Sequence, residues 1–433
     1  MDVIIIGAGA AGLMAAKKLT DAGQKVCVLE ARNRLGGRIY TLNDTAFKHP
    51  DEAGPEYIHG NLKVTLNLLK ESGINYEEID GEMWAVTNGK WSKGMEFNQD
   101  QQLLMKRLKE LKENISIAEF FDRYFAEEKY ASLRSSLTSY IEGYYAGNIQ
   151  QTSALAFFKE WSNEDEQQYR PKGGYGKMIQ YLADKSIEGG ALIQLSTVVK
   201  QIRWLKDQVE VIDETHHSYI ARKVIVTVPL GVWLAEENSK GAITYSPALT
   251  PKQEAAKQMG FGSAIKILLL FKEPFWEELS LEQQPEVDLK RTGFIISDQE
   301  IRTWWTQLPI RSSLLTGWMA GPKAFLVKDA DDETILLKSL DSLSNIFNIS
   351  ATGLKPKLLS WHIFNWTADP FTRGAYAFST TGTKEARKIL MQPVEGTLFF
   401  AGEALYDGLE MGTVEAALIS GLRVSDEVLA AFP

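Results

Sequence analysis

The stretch that most constrains this chain lies at its start, where the apolar run Val3-Ile4-Ile5-Ile6 leads straight into Gly7-Ala8-Gly9-Ala10-Ala11-Gly12. Consecutive β-branched residues predict a strand buried on both faces, here Asp2 to Ile6. Residues 10 to 22 then carry apolar side chains at helical spacing, and Gly23 stands where a helix ends in a left-handed turn. A second strand, Lys25 to Leu29, completes a βαβ unit. It ends at Glu30, about 20 residues beyond the glycines, where a carboxylate can accept hydrogen bonds from an adenosine ribose. The glycines permit a tight turn, bare backbone against a pyrophosphate and close helix packing, while the helix N-terminus adds orphan N–H groups and positive potential. A dinucleotide fits this unit; the bland alternative is a glycine-tolerant turn with no ligand. An acid at position 30 rather than a basic residue favours NAD or FAD over NADP.

At 433 residues the chain is too long for one core and should form two or so domains. A net charge of −9 argues against nucleic acid as a partner and mildly favours a cationic substrate. The single cysteine, Cys27, falls inside the second strand, so no disulfide framework or thiolate cluster is expected, and the five histidines are scattered. The apolar start lacks a basic leader and is broken by glycines, and no later apolar run is long enough to span a bilayer. The expectation is a soluble cytoplasmic protein with no membrane partner.

After Glu30 comes Ala31-Arg32-Asn33-Arg34-Leu35-Gly36-Gly37-Arg38. Adjacent glycines let backbone pass close to a phosphate and arginines can neutralise it, although a basic surface turn would read the same way. Together with the GAGAAG loop and Glu30, this stretch resembles the FAD-binding start of the flavin amine oxidase superfamily. The resemblance implies that Gly7, Gly9, Ala11, Gly12, Glu30 and Ala31 hold the cofactor. Arg32 and Arg38 would contact its adenosine and pyrophosphate, with Gly36 and Gly37 in the crossing loop. Asp51 to Gly60 resembles the segment that passes the flavin ring in monoamine and polyamine oxidases. It implies cofactor contacts at Gly54, Pro55, Glu56 and Tyr57, and a substrate-facing His59; a loop histidine without a role is the alternative. The carboxylate-gripping arginine of L-amino acid oxidases is replaced by Tyr57, which tilts the reading toward an amine without a carboxylate.

Residues 63 to 130 read as several amphipathic helices, including Leu103 to Glu113, with solvated acidic patches at Glu77 to Glu82 and Glu127-Glu128. Tyr144-Tyr145 and the loop from Asn163 to Tyr175 offer aromatic and acidic groups for the passage of a cationic amine. Arg170 to Gly176 resembles the family's connector back to the FAD domain. Alternation at Val209 and Val211 and the run Val224 to Val228 read as strands. The pattern from Val199 to Ile202 resembles the strand whose valine backbone meets the adenine, which makes Val199 a cofactor contact.

Gly262 to Phe271 reads as a strand with one charge, Lys266. A lysine in such company either snorkels to solvent or is held by a functional partner with a depressed pKa. With the following Lys272-Glu273-Pro274-Phe275-Trp276, the string resembles monoamine and polyamine oxidases, whose lysine holds a water against flavin N5. That implies a catalytic Lys266. Trp304, Trp305 and Trp318 read as core or inter-domain packing, and Gly317 to Ala324 as a turn.

Trp366 to Tyr376 resembles the family's Trp-x-x-Asp-Pro-aromatic and Gly-x-Tyr pattern, which implies that Trp366 contacts the cofactor and that Tyr376 orients the amine. Ala375 stands where monoamine oxidases carry a flavin-linked cysteine, so the FAD should be non-covalent. The buried strand ending at Gly402-Glu403 and the helix opening at Gly412-Thr413-Val414 close the chain. A helix N-terminus suits the negative charge of a reduced flavin. The resemblance sets Glu403 by the ribityl or phosphate region, and Thr413 and Val414 at the pyrimidine. Leu409 stands where monoamine oxidases place a second cage tyrosine.

These readings combine into an α/β fold: a Rossmann-like FAD-binding domain (1–80, 190–240 and 390–433) joined to an α+β substrate-binding domain (81–189 and 241–389), as in amine oxidases and p-hydroxybenzoate hydroxylase. The implied activity is FAD-dependent oxidation of a monoamine or polyamine to an imine. The imine would be hydrolysed and O2 reduced to hydrogen peroxide, by a monomer or homodimer. The rival among enzymes is a flavin desaturase acting on a carbon skeleton, which Lys266 opposes; outside enzymes it is a non-catalytic flavoprotein module. An NAD dehydrogenase is disfavoured by Arg34 to Arg38 and by the closing motif.

Overall fold

The computed structural model describes residues 1–433 except 48, 95–98, 164–166, 280–283, 285, 286 and 433. The acidic part of the expected 163–175 passage thus falls outside the described residues. The apolar run forms the strand Val3–Ile6, buried along its whole length. It is the centre of a five-stranded, all-parallel sheet in the order Leu398–Phe400, Lys223–Val226, Val3–Ile6, Val26–Leu29, Leu192–Gln194. A central position explains the continuous apolar sequence, because neither face of the strand meets water.

The helix Ala10–Asp21 follows, and Gly23 ends it at φ 81° with its N–H donated to the Thr20 carbonyl. This helix packs against Gly176–Glu188 and the last helix, Val414–Ala430, on one face of the sheet. The other face is covered by an antiparallel meander, Val199–Leu205, Gln208–Asp213 and Ser218–Ala221, joined by the strand Thr244–Ser246. Val209 and Val211 point inward from it, as their alternation predicts.

A second sheet has seven strands: Leu358–Asn365, Ala264–Phe271, Leu314–Ala320, Thr303–Trp305, Thr292–Ser297, Glu82–Thr87 and Lys90–Lys93, in that order. The strand Ala264–Phe271 is buried throughout and separates two environments by its period of two. Ile265, Ile267, Leu269 and Phe271 join a core with the helix Asp332–Phe347. Lys266, Leu268 and Leu270 occupy the opposite face, where Leu268 and Leu270 pack with Ala53 and Trp366. This geometry brings the one charged residue of the strand over to the Asp51–Tyr57 segment.

Two sequence expectations fail here. Residues 63 to 130 are not only helices: Tyr76–Glu78, Glu82–Thr87 and Lys90–Lys93 are strands, and the expected helix from Leu103 to Glu113 is Gln99–Glu110. Trp84 and Val86 alternate inward, and Glu82–Thr87 pairs in parallel with Thr292–Ser297, a partner remote in sequence. Nor is 317 to 324 a turn. Gly317 to Ala320 complete a strand, and Gly321–Leu326 is a helix. Gly317 lacks a side chain because a Cβ there would meet the Trp304 ring at 2.7 Å. Among the described residues no helix is long and apolar enough to cross a membrane, and no group of three or more His, Cys, Asp or Glu could hold a metal. Cys27 is buried and unpaired.

Candidate active site

A continuous cavity of about 1490 Å³ runs from the first βα turn to the second sheet. Its wall includes Gly7, Gly9, Ala11, Glu30, Ala31, Arg32, Gly36, Gly37, Arg38, Gly54, Pro55, Glu56, Tyr57 and His59, together with Val199, Lys266, Trp366, Tyr376, Gly402, Glu403, Leu409, Gly412, Thr413 and Val414. Gly12 alone of the singled-out residues is not in the wall. Its Cβ would lie 2.0 Å from the Gly7 carbonyl oxygen, so its role is packing within the turn.

Gly9 is the counterpart. A Cβ there would meet only the Gly36 carbonyl, at 3.9 Å, so protein packing does not require glycine at this position. Gly9 also begins the helix Ala10–Asp21 with no side chain capping the orphan N–H groups of the first turn. Bare backbone, uncapped N–H groups and the positive end of a helix meet in one wall of the cavity, the requirements for a pyrophosphate. Glu30 accepts from the backbone N–H of Ala8 (2.8 Å) and of Arg32 (2.9 Å), which leaves lone pairs on each oxygen for a ribose.

The arginines are anchored from far along the chain. Arg38 donates to the Ala375 carbonyl and to Glu403, both at 2.7 Å. Arg32 donates to Asp369 (2.5 Å) and Thr372 (2.9 Å). Each guanidinium has five N–H donors, so both keep capacity to spare. The last helix is capped by Thr413, which accepts from the Ala416 N–H. Its first-turn Glu415 accepts from the backbone N–H groups of Val64 and Thr65, fastening the helix Lys63–Glu71.

At the far end lies a buried charge network. Lys266 is 1% exposed and Glu56 5%, so the lysine does not snorkel. Its Nζ donates to Glu56 Oε2 at 2.7 Å and to the Gly54 carbonyl at 3.0 Å. Arg170 donates to Glu56 Oε1 at 2.7 Å, and Trp305 Nε1 to Oε2 at 3.1 Å. Burial pushes the Glu56 carboxyl up, but Lys266 and Arg170 outweigh it and hold the group below its usual value. Among the described residues its neighbours Asp51 and Glu52 have no such direct cationic partners, and burial drives both up to about 7. Glu56 is in the cavity wall, as a cofactor contact would be, and its carboxylate is engaged by protein cations.

Trp318 stands directly across the sheet from Lys266. Its ring is parallel to that of Tyr376 within 2°, with centroids 6.4 Å apart. Consecutive carbonyls at the end of the helix Ala131–Gly143 fix this pair, Gly143 accepting from Trp318 Nε1 (2.8 Å) and Tyr144 from the Tyr376 hydroxyl (2.5 Å). Trp305 also borders the cavity, so of the three tryptophans read as packing only Trp304 is wholly core. His59 meets Tyr57 and Tyr144 edge-on, and burial pushes it down to about 4. It is thus a neutral wall residue near pH 7. Leu409 is in the wall, 43% exposed, and presents no ring.

A family model described as flavin-containing amine oxidoreductase matches residues 10–84 and 81–429. The chain belongs to that family. This family member is 28% identical to human lysine-specific histone demethylase 2 over 464 residues, covering 99% of this chain and 53% of the relative. It is 27% identical to Arabidopsis thaliana polyamine oxidase 2 over 460 residues, 98% and 87% of the two chains. The chain spans about half the length of the histone demethylases it matches first. Among solved structures, putrescine oxidase bound to putrescine has a TM-score of 0.77 at 21% identity, covering 99% of both chains. Cyclohexylamine oxidase from Brevibacterium oxydans has 0.79 at 18%, covering 99% of this chain and 98% of that one. These likenesses give the same α/β fold.

The family is flavin-containing, and the βαβ grip makes the flavin FAD. The residues present fit it: Gly9 leaves room for a pyrophosphate, Glu30 for a ribose, and the Gly412–Val414 helix start for the electron-rich edge of the ring. The bond is non-covalent, and Cys27, the only cysteine, lies in the strand Val26–Leu29 rather than at position 375. Sequence reasoning missed Trp318, Trp305 and Arg170 as members of one site. No local pattern announces them, because each is defined by a partner across a sheet or in another segment.

Proposed function

We propose that this chain oxidises a small amine, monoamine or polyamine, to an imine that water hydrolyses to a carbonyl compound plus amine or ammonia, with O2 reduced to hydrogen peroxide. The observation that carries this reading is the meeting of Lys266 with the parallel Trp318–Tyr376 pair in the cavity that begins at the dinucleotide grip. Bound FAD would supply the acceptor for the electron pair of the amine's α C–H bond, while the nitrogen gives up a proton and C–N becomes C=N. The protein's own residues do the rest.

The aromatic wall of Tyr57, Phe294, Trp305, Trp318 and Tyr376 excludes water and favours the neutral amine over the ammonium. Parallel ring faces can orient an amine by dispersion and by attraction to its partial positive charge. Trp318 thereby takes the place of the ring that Leu409 does not supply. Burial pushes the Tyr376 phenol up, so it stays a neutral donor tied to the Tyr144 carbonyl. Lys266 has three N–H donors and spends two on protein acceptors, leaving one for a water or the substrate. The lack of a side-chain cation at position 57 supports an amine without a carboxylate.

The deciding experiment mixes the FAD-loaded protein anaerobically with a panel of polyamines, aryl-alkyl amines, cycloalkyl amines, N-methylated lysine peptides and amino acids. Bleaching of the flavin by one class of amine, then return of colour and peroxide on admitting O2, is the expected result. Bleaching by none of them sinks the reading.

A further inference from the structure

We propose that Glu56 is a positioning residue that aims the Lys266 amine into the cavity; the idea rests on the role given to Lys266 above. A lysine side chain ends in a flexible chain with three equivalent N–H donors, so one acceptor alone would leave it free to swivel. Here two acceptors from one short turn, Gly54 O at 3.0 Å and Glu56 Oε2 at 2.7 Å, fix two donors and thus the direction of the third.

Glu56 is itself immobilised. Oε1 accepts from Arg170 and Oε2 from the indole of Trp305 as well as from Lys266. Arg170 is held in turn by the Gln307 carbonyl at 2.9 Å and the Tyr57 hydroxyl at 3.2 Å. The Lys266 Nζ also sits 5.3 Å from the centre of the Trp305 ring.

Stability alone does not account for this network. Well-packed apolar residues commonly do as well as a buried ion pair, whereas leaving one partner unpaired is costly. A carboxamide at position 56 could offer its oxygen to one of the two cations only, and would turn an NH2 group toward the other. In Glu56→Gln, therefore, the amine loses the charge that holds it, whichever way the amide turns, and its direction loosens while the cavity keeps its shape.

The first test uses the protein stripped of FAD. Lysine acetylation by acetic anhydride is followed by mass spectrometry at Lys266 and at Lys252, a buried lysine held instead by the carbonyls of Ile389, Leu390 and Gln392. Glu56→Gln should speed modification of Lys266 about tenfold, the effect of losing a charge-assisted hydrogen bond, and leave Lys252 unchanged. Equal rates at Lys266, or a rise shared by Lys252, overturn the proposal.

The second test uses the FAD-loaded protein and follows flavin reduction by amine and reoxidation by O2 separately, in Glu56→Gln, Lys266→Met and the double variant. The step slowed by Lys266→Met should also slow in Glu56→Gln, and Glu56→Gln should add nothing once Lys266 is gone. A further slowing in the double variant overturns the positioning role while leaving Lys266 its own. Unchanged rates in Lys266→Met remove both. If Glu56→Gln does not fold, Trp305→Phe, which removes one donor to the same oxygen, enters both experiments with a smaller change expected and the same outcomes deciding.

Discussion

The two ends of the cavity are built on opposite plans. The adenosine end is assembled largely from one contiguous stretch, residues 3 to 38, and its working parts are mostly backbone: Gly9 without a Cβ and the N–H groups of a helix start, joined by the Glu30 carboxylate, which also braces the loop through Ala8 and Arg32. The ring end is assembled from the Gly54 carbonyl and the side chains of Glu56, Tyr57, Arg170, Lys266, Trp305, Trp318 and Tyr376. None of these segments adjoins the next in sequence. The contrast follows from the tasks. A phosphate group can be held by any chain that folds into the right turn, whereas setting parallel rings beside a lysine needs groups converging from several directions.

The sharpest way to break this contrast is at the glycines. Gly12→Ala puts a Cβ against the Gly7 carbonyl and should destabilise the protein by about 1–3 kcal/mol or more, with loss of bound FAD. Gly9→Ala should cost the FAD-free protein less than about 1 kcal/mol, chiefly as a poorer helix cap, yet still abolish FAD retention. Melting temperatures of FAD-free protein and visible flavin absorbance separate the two; similar melting losses would mean that Gly9 is a packing glycine as well.

At the ring end, Lys266→Met should retain FAD and slow one half-reaction by on the order of 10²-fold, as expected when a positioned proton-bearing group is removed. It should also lower stability, because Glu56 loses a buried partner. Rapid mixing and thermal melts measure the two effects, and loss of FAD instead would show that the ends are not independent.

The third effect is smaller. Trp318→Leu should raise KM for the amine with less change in kcat, by ~2- to 10-fold, the range equivalent to losing one aromatic contact. Steady-state kinetics at matched FAD content test it, and an unaltered KM would return Trp318 to the packing role its sequence context suggested.

The last prediction concerns the carboxyls beneath the ring end. Asp51 and Glu52 are pushed up to about 7, first by burial and, for Asp51, then by the charge of Glu56. The unfolded chain gives up these protons near pH ~4 and the folded chain only near 7. Their contribution to stability is therefore full below pH ~4 and is lost as pH rises through about 7. Melting temperature should fall over that interval, and Glu52→Gln should flatten the fall; a variant as pH-sensitive as the parent would contradict the assignment. Glu52 Oε2 is buried with no partner among the described residues, which makes its ionised form the costly one.

The legibility of the two ends follows the same division. Val3–Ile6, the glycine loop, the left-handed Gly23 and Glu30 are local patterns, set by buried-strand composition, helical spacing and backbone freedom. The strand around Lys266 was legible too, since a lone charge in an apolar run stands out. The role of Glu56 was not, because a glutamate in a loop carries no mark of the two cations that converge on it from positions 170 and 266.

Residues 317 to 320 were misread for a related reason. Gly317 reads as a turn residue until the Trp304 ring is seen filling the space of its Cβ.

The sequence by itself thus determined the parallel sheet at the start, the dinucleotide grip and the family. Each depends on interactions between residues a few positions apart, or on motifs that survive in order along the chain. Only the tertiary structure decided that Gly12 packs while Gly9 leaves room, that Trp318 faces Tyr376, and that Lys266 is held by Glu56. Those facts depend on strand register and on packing between distant segments, where shifting a strand by one residue would turn every side chain to the other face.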